Sequence, residues 1–142
     1  FCRFVQAVWH SARGSQREKL LPKNRIAPLH EKPSRFDLTA LKCLADLREK
    51  YKITLVACIP YRGQVRSMQQ EERALYCSLL DFCNEKIVLH EAYVNGCFLE
   101  RNRYMVDRAD VLLAYCRKET GGTAYTVAYA KKRGVDVVLF EN

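Results

Sequence analysis

The sequence predicts an α/β fold with a mostly parallel sheet. Short apolar runs of strand length alternate with segments of about 10 to 16 residues whose apolar positions recur at helical spacing. The apolar runs are continuous, which is typical of strands that are covered on both faces. Because a helix separates consecutive strands, we expect right-handed crossovers between parallel strands. At 142 residues, the chain is long enough to bury such a core in one domain.

The first half of this pattern holds two helices and two strands. A helix is predicted over residues 36–51, with an inner side formed by Leu38, Leu41, Leu44, Ala45 and Leu47. The apolar run in residues 52–60 predicts a buried strand. A second helix is predicted over residues 69–85, with inward positions at Leu75, Leu79, Leu80, Phe82 and Cys83. A short strand follows over residues 87–90.

The second half repeats the order of helix and strand. Residues 98–109 predict a helix that packs on the sheet through Phe98, Leu99, Asn102, Met105, Val106 and Ala109. Arg101, Tyr104 and Arg108 share another face of it. Residues 110–116 predict a buried strand, and residues 135–140 the last one. Between them, residues 123–133 predict a helix that ends at Gly134 in a left-handed cap.

Residues 1–35 form an atypical basic segment in front of the predicted domain, which comprises residues 36–142. Residues 1–36 hold eight Lys or Arg against two Asp or Glu, so they contribute +6 of the total charge of +8. Residues 1–9 are compatible with one strand. Weak periodicity and three prolines in residues 11–35 predict loop or poorly ordered chain.

The turn Gly121-Gly122-Thr123 is the most informative feature of the chain. It stands between a predicted strand and a helix start, where ligands collect in open α/β sheets. Glycine permits a positive φ or the close approach of a ligand to the backbone. The amides of the helix start, the helix dipole and the hydroxyl of Thr123 or Thr126 would together favour an anion. The alternative is that the two glycines only form a tight connection.

Four further residues are predicted to line the same crevice. Arg101 and Asn102 stand near the start of the preceding helix, and a guanidinium there suits a phosphate or a carboxylate. Arg62 and Gln64 follow directly after the strand 52–60. The alternatives are a solvated arginine on a helix edge for Arg101 and an ordinary turn for Arg62 and Gln64.

These residues resemble the SLOG superfamily of Rossmann-like proteins, and within it the YpsA/YoqJ-like branch. The resemblance rests on Arg101 to Asp107 (RNRYMVD), on Ala109-Asp110 before the apolar strand, and on Gly121 to Thr126 (GGTAYT). It implies a Rossmann-like three-layer fold. It also implies a nucleotide or nucleotide-derived ligand, similar to ADP-ribose or NAD, at the carboxyl ends of the strands. Gly121, Gly122 and Thr123 would then surround a phosphate, with Arg101 nearby.

The resemblance implies binding or sensing of that small molecule, with no required cofactor. The related LOG branch hydrolyses a nucleotide N-glycosidic bond with help from a glutamate in the helix after its glycines. Residues 123–133 contain no acidic residue here, and a general acid or base typically contributes about 10²–10⁴-fold to such rates. The alternative is a nucleotide-processing hydrolase in which Asp107, Glu100 or Asp37 supplies the acid or base.

The N-terminal motifs of the family are not clearly present. Relatives carry a T-G-H-R-like turn after their first strand and a G-G-A-x-G-F-D sequence before their first helix. Trp9 to Arg13 (WHSAR) and Ser34 to Asp37 (SRFD) stand at these places, so half of the expected phosphate cradle is missing. The basic segment raises a further alternative, nucleic-acid binding of the type found in the related DprA family, which would weaken steeply with salt. The other interpretation is a solvated tail.

The remaining patterns exclude several classes of protein. Seven cysteines without a C-x-x-C pair favour reduced, structural thiols, among which Cys97, predicted in a loop, is the candidate for reactivity. His90-Glu91 lacks the second histidine of H-E-x-x-H, so no metal is predicted. No apolar run reaches the roughly 18 residues of a membrane span, and no signal-peptide pattern is present. We therefore expect a cytoplasmic protein without membrane contact, and the sequence leaves self-association open.

Overall fold

The computed structural model describes residues 3–4, 6–8, 25–27, 43–44, 46–47, 51, 54–116 and 119–140. Within these residues, strands and helices alternate along the chain and the long strands pair in parallel. The predicted Rossmann-like α/β fold is therefore confirmed. Of the first predicted helix, the described positions 43–44 and 46–47 are helical.

Short strands near the N-terminus are followed by longer strands that alternate with helices. The strands are β1 (Arg3–Phe4), β2 (Gln6–Val8), β3 (Arg25–Ala27), β4 (Thr54–Tyr61), β5 (Glu85–His90), β6 (Val111–Tyr115) and β7 (Asp136–Phe140). The α-helices are α1 (Gln70–Asp81), α2 (Cys97–Val106) and α3 (Gly122–Lys132), and a short 3₁₀ helix spans Gln64–Ser67. Gly134 has φ 74° just beyond α3, which confirms the predicted left-handed cap.

The strands form two sheets, one in the order β1-β6-β7 and one in the order β2-β3-β4-β5. β4 lies between β3 and β5 and is parallel to both, and β6 is parallel to β7. The two antiparallel pairs are β1 with β6 and β2 with β3. The basic N-terminal segment thus contributes short strands to both sheets.

The described residues of 1–9 lie in strands, as expected, and these are β1 and β2, which belong to different sheets. The expectation for residues 11–35 was wrong in part. Residues 11–35 were expected to lack regular structure, yet β3 lies within them, with Ile26 opposite Leu55 of β4. A strand of three residues is too short to leave a periodic signal, because its pairing partner and not its own pattern stabilises it.

Two apolar clusters contact opposite faces of β6. Leu112 and Ala114 of β6 pack with Val127 and Ala130 of α3. Leu113, between them in sequence, contacts the other cluster, whose buried members are Leu55, Met68, Tyr76 and Leu79. Side chains of a strand alternate between faces, so β6 is covered on both sides, as its continuous apolar run predicts. The helices therefore form layers on either side of the sheet.

The inner face of α1 differs in part from the predicted one. Leu79 is buried as expected, but Leu75 and Phe82 are exposed, whereas Tyr76 is almost fully buried. The helix also ends at Asp81, so Phe82 belongs to its C-terminal cap. A buried tyrosine needs a partner for its hydroxyl, and Tyr76 has one in Gln64.

Candidate functional site

The start of α3 leaves backbone donors open at the carboxyl end of β6. Gly121 adopts φ 102° and ψ 177°, a conformation that is essentially restricted to glycine. The amide of Tyr125 donates to the carbonyl of Gly121 at 3.0 Å and closes the first turn. Within the described residues, the amides of Gly122, Thr123 and Ala124 have no acceptor. The first turn also holds no acidic side chain, so its positive dipole end is not neutralised there.

Thr123 adds a side-chain group to these amides. It is 1% exposed, and its Oγ1 is buried with no hydrogen-bond partner among the described residues. An unsatisfied buried hydroxyl costs about 1–3 kcal/mol. A buried hydroxyl without a described partner on the first turn of α3 therefore calls for an explanation. A Cβ added at Gly121 or Gly122 would meet nothing within 4 Å, so the space beside this turn is open.

Four predicted site residues are joined by a buried chain of hydrogen bonds. Arg101 donates from Nε and Nη2 to Oδ1 of Asn102, at 3.0 and 2.8 Å. Asn102 donates from Nδ2 to Oγ1 of Thr126 at 3.0 Å. Thr126 in turn donates to the carbonyl of Gly122 at 2.8 Å. The chain connects α2 to the first turn of α3, so it fixes the position of that turn.

Arg101 lies on the inner face of α2. It shares that buried face with Cys97, Asn102, Met105 and Val106, and it is 2% exposed. The sequence placed Arg101 with Tyr104 and Arg108 on a face away from the sheet, and this prediction is wrong for Arg101. The buried face of α2 is rotated by about one residue from the face that the apolar residues predict. The hydrogen bonds from Nε and Nη2 to Asn102 offset part of the cost of burying this guanidinium.

The charge of Arg101 also acts on the strand below it. Burial raises the pKa of the Cys58 thiol on β4 to about 11, and the positive charges of Arg101 and Arg108 oppose this rise. The Cys58 thiol therefore stays protonated at neutral pH, which suits a structural role. Cys97 is fully buried as the first residue of α2, so its predicted position in a loop is wrong and its thiol is shielded from reagents.

Arg62 and Gln64 line a cavity beside β4 and β5. Arg62 is exposed and donates from Nε and Nη2 to Glu91 at 2.6 and 2.8 Å, which lowers the pKa of the Glu91 carboxyl. Gln64 is buried and accepts a hydrogen bond from Tyr76. Both contribute to a cavity of about 500 Å³ between β4, β5 and α1, which is also lined by Ile59, Val65, Leu80, Lys86 and Val88. None of these lining residues belongs to α3.

The carboxylates considered for catalysis are engaged elsewhere. Asp107 accepts from Tyr129 at 2.9 Å and pairs with Arg133 at 2.9 Å. Arg133 is the C-terminal cap residue of α3, and about 16 Å along the helix axis separate it from Gly122. Glu100 lies 2.8 Å from Nε2 of His90. Asp37 lies outside the described residues, and the described residues contain no group of side chains suited to hold a metal ion.

Sequence reasoning missed an aromatic cluster near the start of α2. Tyr61 at the end of β4, Tyr93 in the loop after β5 and Phe98 in α2 have ring centroids 5.6 to 6.4 Å apart. The three positions are separated in sequence, so no periodic pattern links them. The usable signal was that Tyr61 directly follows the predicted strand 52–60 and Tyr93 lies three residues after the predicted strand 87–90. The carboxyl ends of these two strands meet at one edge of the sheet.

A parallel sheet flanked by helices, with open amides and a buried hydroxyl at a glycine-bounded helix start, defines a Rossmann-like protein with a candidate anion site. A family model described as the YspA SLOG family (YpsA) matches residues 34–137, and the chain belongs to this family. A search of curated proteins gave no significant match. None of the helices in the described part of the chain has the length and hydropathy that crossing a bilayer requires.

Proposed function

We propose that this domain binds a nucleotide or a nucleotide-derived molecule of the ADP-ribose or NAD type, and that a phosphate of the ligand contacts the first turn of α3. The buried, unpartnered hydroxyl of Thr123 beside the amides of Gly122 and Ala124 carries this proposal. Open amides alone occur at every helix start, whereas an orphaned buried hydroxyl on the same turn is uncommon.

The physical basis is a set of donors held in place before the ligand arrives. The dipole of α3 places a partial positive charge at its first turn, and no carboxylate on that turn opposes it. Gly121 and Gly122 carry no side chain that would keep a phosphate from the amides. Membership of the SLOG family supports a nucleotide as the source of that phosphate.

Arg101 has a supporting role in this proposal. Two of its nitrogens hold Oδ1 of Asn102, and Asn102 orients Thr126 against the carbonyl of Gly122. Its buried charge also raises the electrostatic potential at the same edge of the sheet. Arg101 therefore positions the turn and attracts an anion without needing a direct contact to it.

Binding, and not hydrolysis, is the proposed activity. Residues 122–132 of α3 supply no carboxylate. Asp107 is bound to Arg133 at the far end of the helix. A general acid or base has to lie within hydrogen-bonding reach of the reacting group. No resident cofactor is part of the proposal.

Isothermal titration calorimetry with ADP-ribose, NAD and AMP tests this proposal. We expect binding of at least one of these ligands, and we expect it to be lost in Thr123→Val combined with Gly122→Asp. Phe82→Ala, at an exposed position in the C-terminal cap of α1, serves as the control and should bind as the unchanged protein does. An absence of heat with all three ligands would count against the proposal.

Single-stranded nucleic acid is the second candidate ligand, and a different surface favours it. We define the arginine–tyrosine surface as Arg103, Tyr104, Arg108, Tyr125, Tyr129 and Arg133, on the outer sides of α2 and α3. Arg108 Cζ lies 3.7 Å from the Tyr104 ring centroid, and Tyr125 and Tyr129 stack at 6.3 Å. Interleaved cations and aromatic rings are typical of surfaces that bind single strands.

Fluorescence anisotropy with a labelled oligothymidine at low and at high salt tests this second candidate. The double variant Arg103→Ala/Arg108→Ala should weaken binding at low salt, and affinity should fall steeply as salt rises. If instead Arg13→Ala/Arg17→Ala/Lys19→Ala abolished binding, the basic N-terminal segment would be the contact, which is the alternative that the sequence raises. Those three residues lie outside the described part of the chain.

A further inference from the structure

The aromatic cluster of Tyr61, Tyr93 and Phe98 forms a partly open wall at the edge of the sheet. Tyr61 and Tyr93 meet at an interplanar angle of 85°, with centroids 5.6 Å apart. Phe98 completes the cluster at 6.2 Å from Tyr61 and 6.4 Å from Tyr93. These edge contacts hold the orientation of Tyr93, yet this residue is 60% exposed. An oriented ring with much of its surface in solvent is suited to stack on another planar group.

The wall stands close to the anion site along α2. Phe98 lies one turn before Asn102, which is about 6 Å along the helix axis. Asn102 reaches the carbonyl of Gly122 through the single hydroxyl of Thr126. The guanidinium of Arg101 lies between the two features, with Cζ 6.0 Å from the Phe98 centroid. α2 and α3 run in the same direction, because Asn102 in the middle of α2 contacts Thr126 of α3, and Asp107 just beyond α2 contacts Arg133 just beyond α3.

We infer that Tyr93, supported by Tyr61 and Phe98, stacks on the base of a nucleotide whose phosphate binds at Gly122 and Thr123. This inference rests on the proposed function and adds the side chains that contact the base of the ligand. A sugar phosphate would satisfy only the anion site. Stacking of an aromatic side chain on a base is tolerant of base identity, since every base has a π face. The site therefore selects for the presence of a base more than for one particular base.

Calorimetry with AMP and with ribose 5-phosphate separates the two parts of the site. AMP should bind at least about tenfold more tightly, which is within the range of one base stack. Tyr93→Ala should remove this difference and leave the affinity for ribose 5-phosphate unchanged, and Tyr93→Phe should retain it. Phe82→Ala, which removes an aromatic ring of similar exposure at the C-terminal cap of α1, is the matched control. Circular dichroism of each variant verifies that it is folded.

The outcomes distinguish this inference from the proposed function. Equal affinities for AMP and ribose 5-phosphate, or an unchanged preference in Tyr93→Ala, would overturn the base contact and leave the phosphate site standing. Absence of binding by both molecules would overturn both. Tighter binding of AMP that depends on Tyr93 and survives in Phe82→Ala would establish the base contact. A preference for AMP that is lost equally in Tyr93→Ala and Phe82→Ala would also count against it.

Discussion

The starts of α2 and α3 share a preceding glycine with positive φ and differ in chemistry. Each follows a glycine with positive φ, 83° at Gly96 and 102° at Gly121, and neither has a side-chain cap. In α2, however, the amide of Cys97 donates to the carbonyl of Val94, and the first turn carries Glu100. A glycine before a helix is therefore not enough to define an anion site.

The difference lies in what each helix start already holds. The carboxylate of Glu100 neutralises the dipole of α2 and lies 2.8 Å from His90. The first turn of α3 has no acidic residue and instead carries Thr123, whose hydroxyl has no partner in the described part of the chain. The start of α2 thus holds a carboxylate and a hydrogen-bonded first amide, whereas the start of α3 holds no carboxylate and, among the described residues, an unpartnered buried hydroxyl.

The largest expected effect comes from making the start of α3 resemble that of α2. Gly122→Asp adds a carboxylate to the first turn, where it would occupy the donors and repel a phosphate. We expect ligand affinity to fall roughly 100-fold or more, since charged hydrogen bonds are lost and replaced by repulsion. The fold should persist, because a side chain at Gly122 meets nothing within 4 Å. Calorimetry with the ligand identified for the unchanged protein measures the loss.

Leu99→Asp provides the control on the other helix. Leu99 is exposed on the first turn of α2, so this change adds the same charge to the corresponding turn of the other helix, two residues further along it. Affinity should change by less than about threefold, because screened surface charges interact weakly. Equal losses in the two variants would show that the two helix starts are not functionally different.

Backbone strain should give the next largest effect. Gly121→Ala places a Cβ on a conformation that L residues almost never adopt, and we expect unfolding free energy to fall by about 3 kcal/mol. Gly96→Ala requires only the left-handed helical region, so the expected loss is about 1 kcal/mol. Urea denaturation measures both losses of unfolding free energy, provided that the m-value of each variant equals that of the unchanged protein. Equal losses would mean that the turn before α3 is not the more constrained one.

Gly122→Ala is the control for these two variants. Gly122 is helical and has open space beside it, so alanine should maintain stability or raise it by up to about 1 kcal/mol. A clear loss of stability in this variant would show that the turn tolerates no side chain at all.

The two threonines of α3 should respond in opposite directions. Thr126→Val removes the acceptor of Asn102 and leaves a buried amide donor unsatisfied, so stability should fall by about 1–3 kcal/mol. Thr123→Val replaces a hydroxyl without a described partner by a methyl group, so the stability of the ligand-free protein should be unchanged or higher. Ligand affinity should fall about tenfold in Thr123→Val. Thermal unfolding with and without ligand separates these effects.

A loss of ligand-free stability in Thr123→Val as large as that in Thr126→Val would contradict the assignment. The Thr123 hydroxyl would then have a partner within the protein, and the main observation for the anion site would no longer hold.

The order of elements could be predicted from the sequence because it depends on local patterns. The continuous apolar run before Tyr61 became β4, and the run at Val111 became the start of β6. The glycine that ends α3 was predictable in the same way, since only its own conformation was needed. Three-residue β3 was not predictable, because its existence depends on pairing with a distant strand.

The sequence could predict which residues belong to the candidate site, but it could not predict how their side chains are arranged. Gly121 and Thr123 follow from the turn itself, but the burial of Arg101 and its bond to Asn102 depend on how α2 is rotated against the sheet. Tyr61 and Tyr93 lie far apart in sequence, so only the folded sheet brings their rings together. Charge and spacing do not specify such long-range contacts.

The smallest expected effect concerns Glu100, a carboxylate in the first turn of α2 that has no counterpart in the first turn of α3. Glu100→Gln removes the carboxylate from the first turn of α2 and keeps an acceptor for His90. Stability should fall by less than about 1 kcal/mol, because the side chain is exposed and its interaction is screened. Affinity for an anionic ligand at α3 should rise by no more than about threefold at low salt and remain unchanged near 1 M salt, where the Debye length is about 3 Å. Calorimetry at both salt concentrations measures this change. If Glu100→Gln instead abolished binding, the carboxylate would be a ligand contact, and the start of α2 would belong to the site together with that of α3.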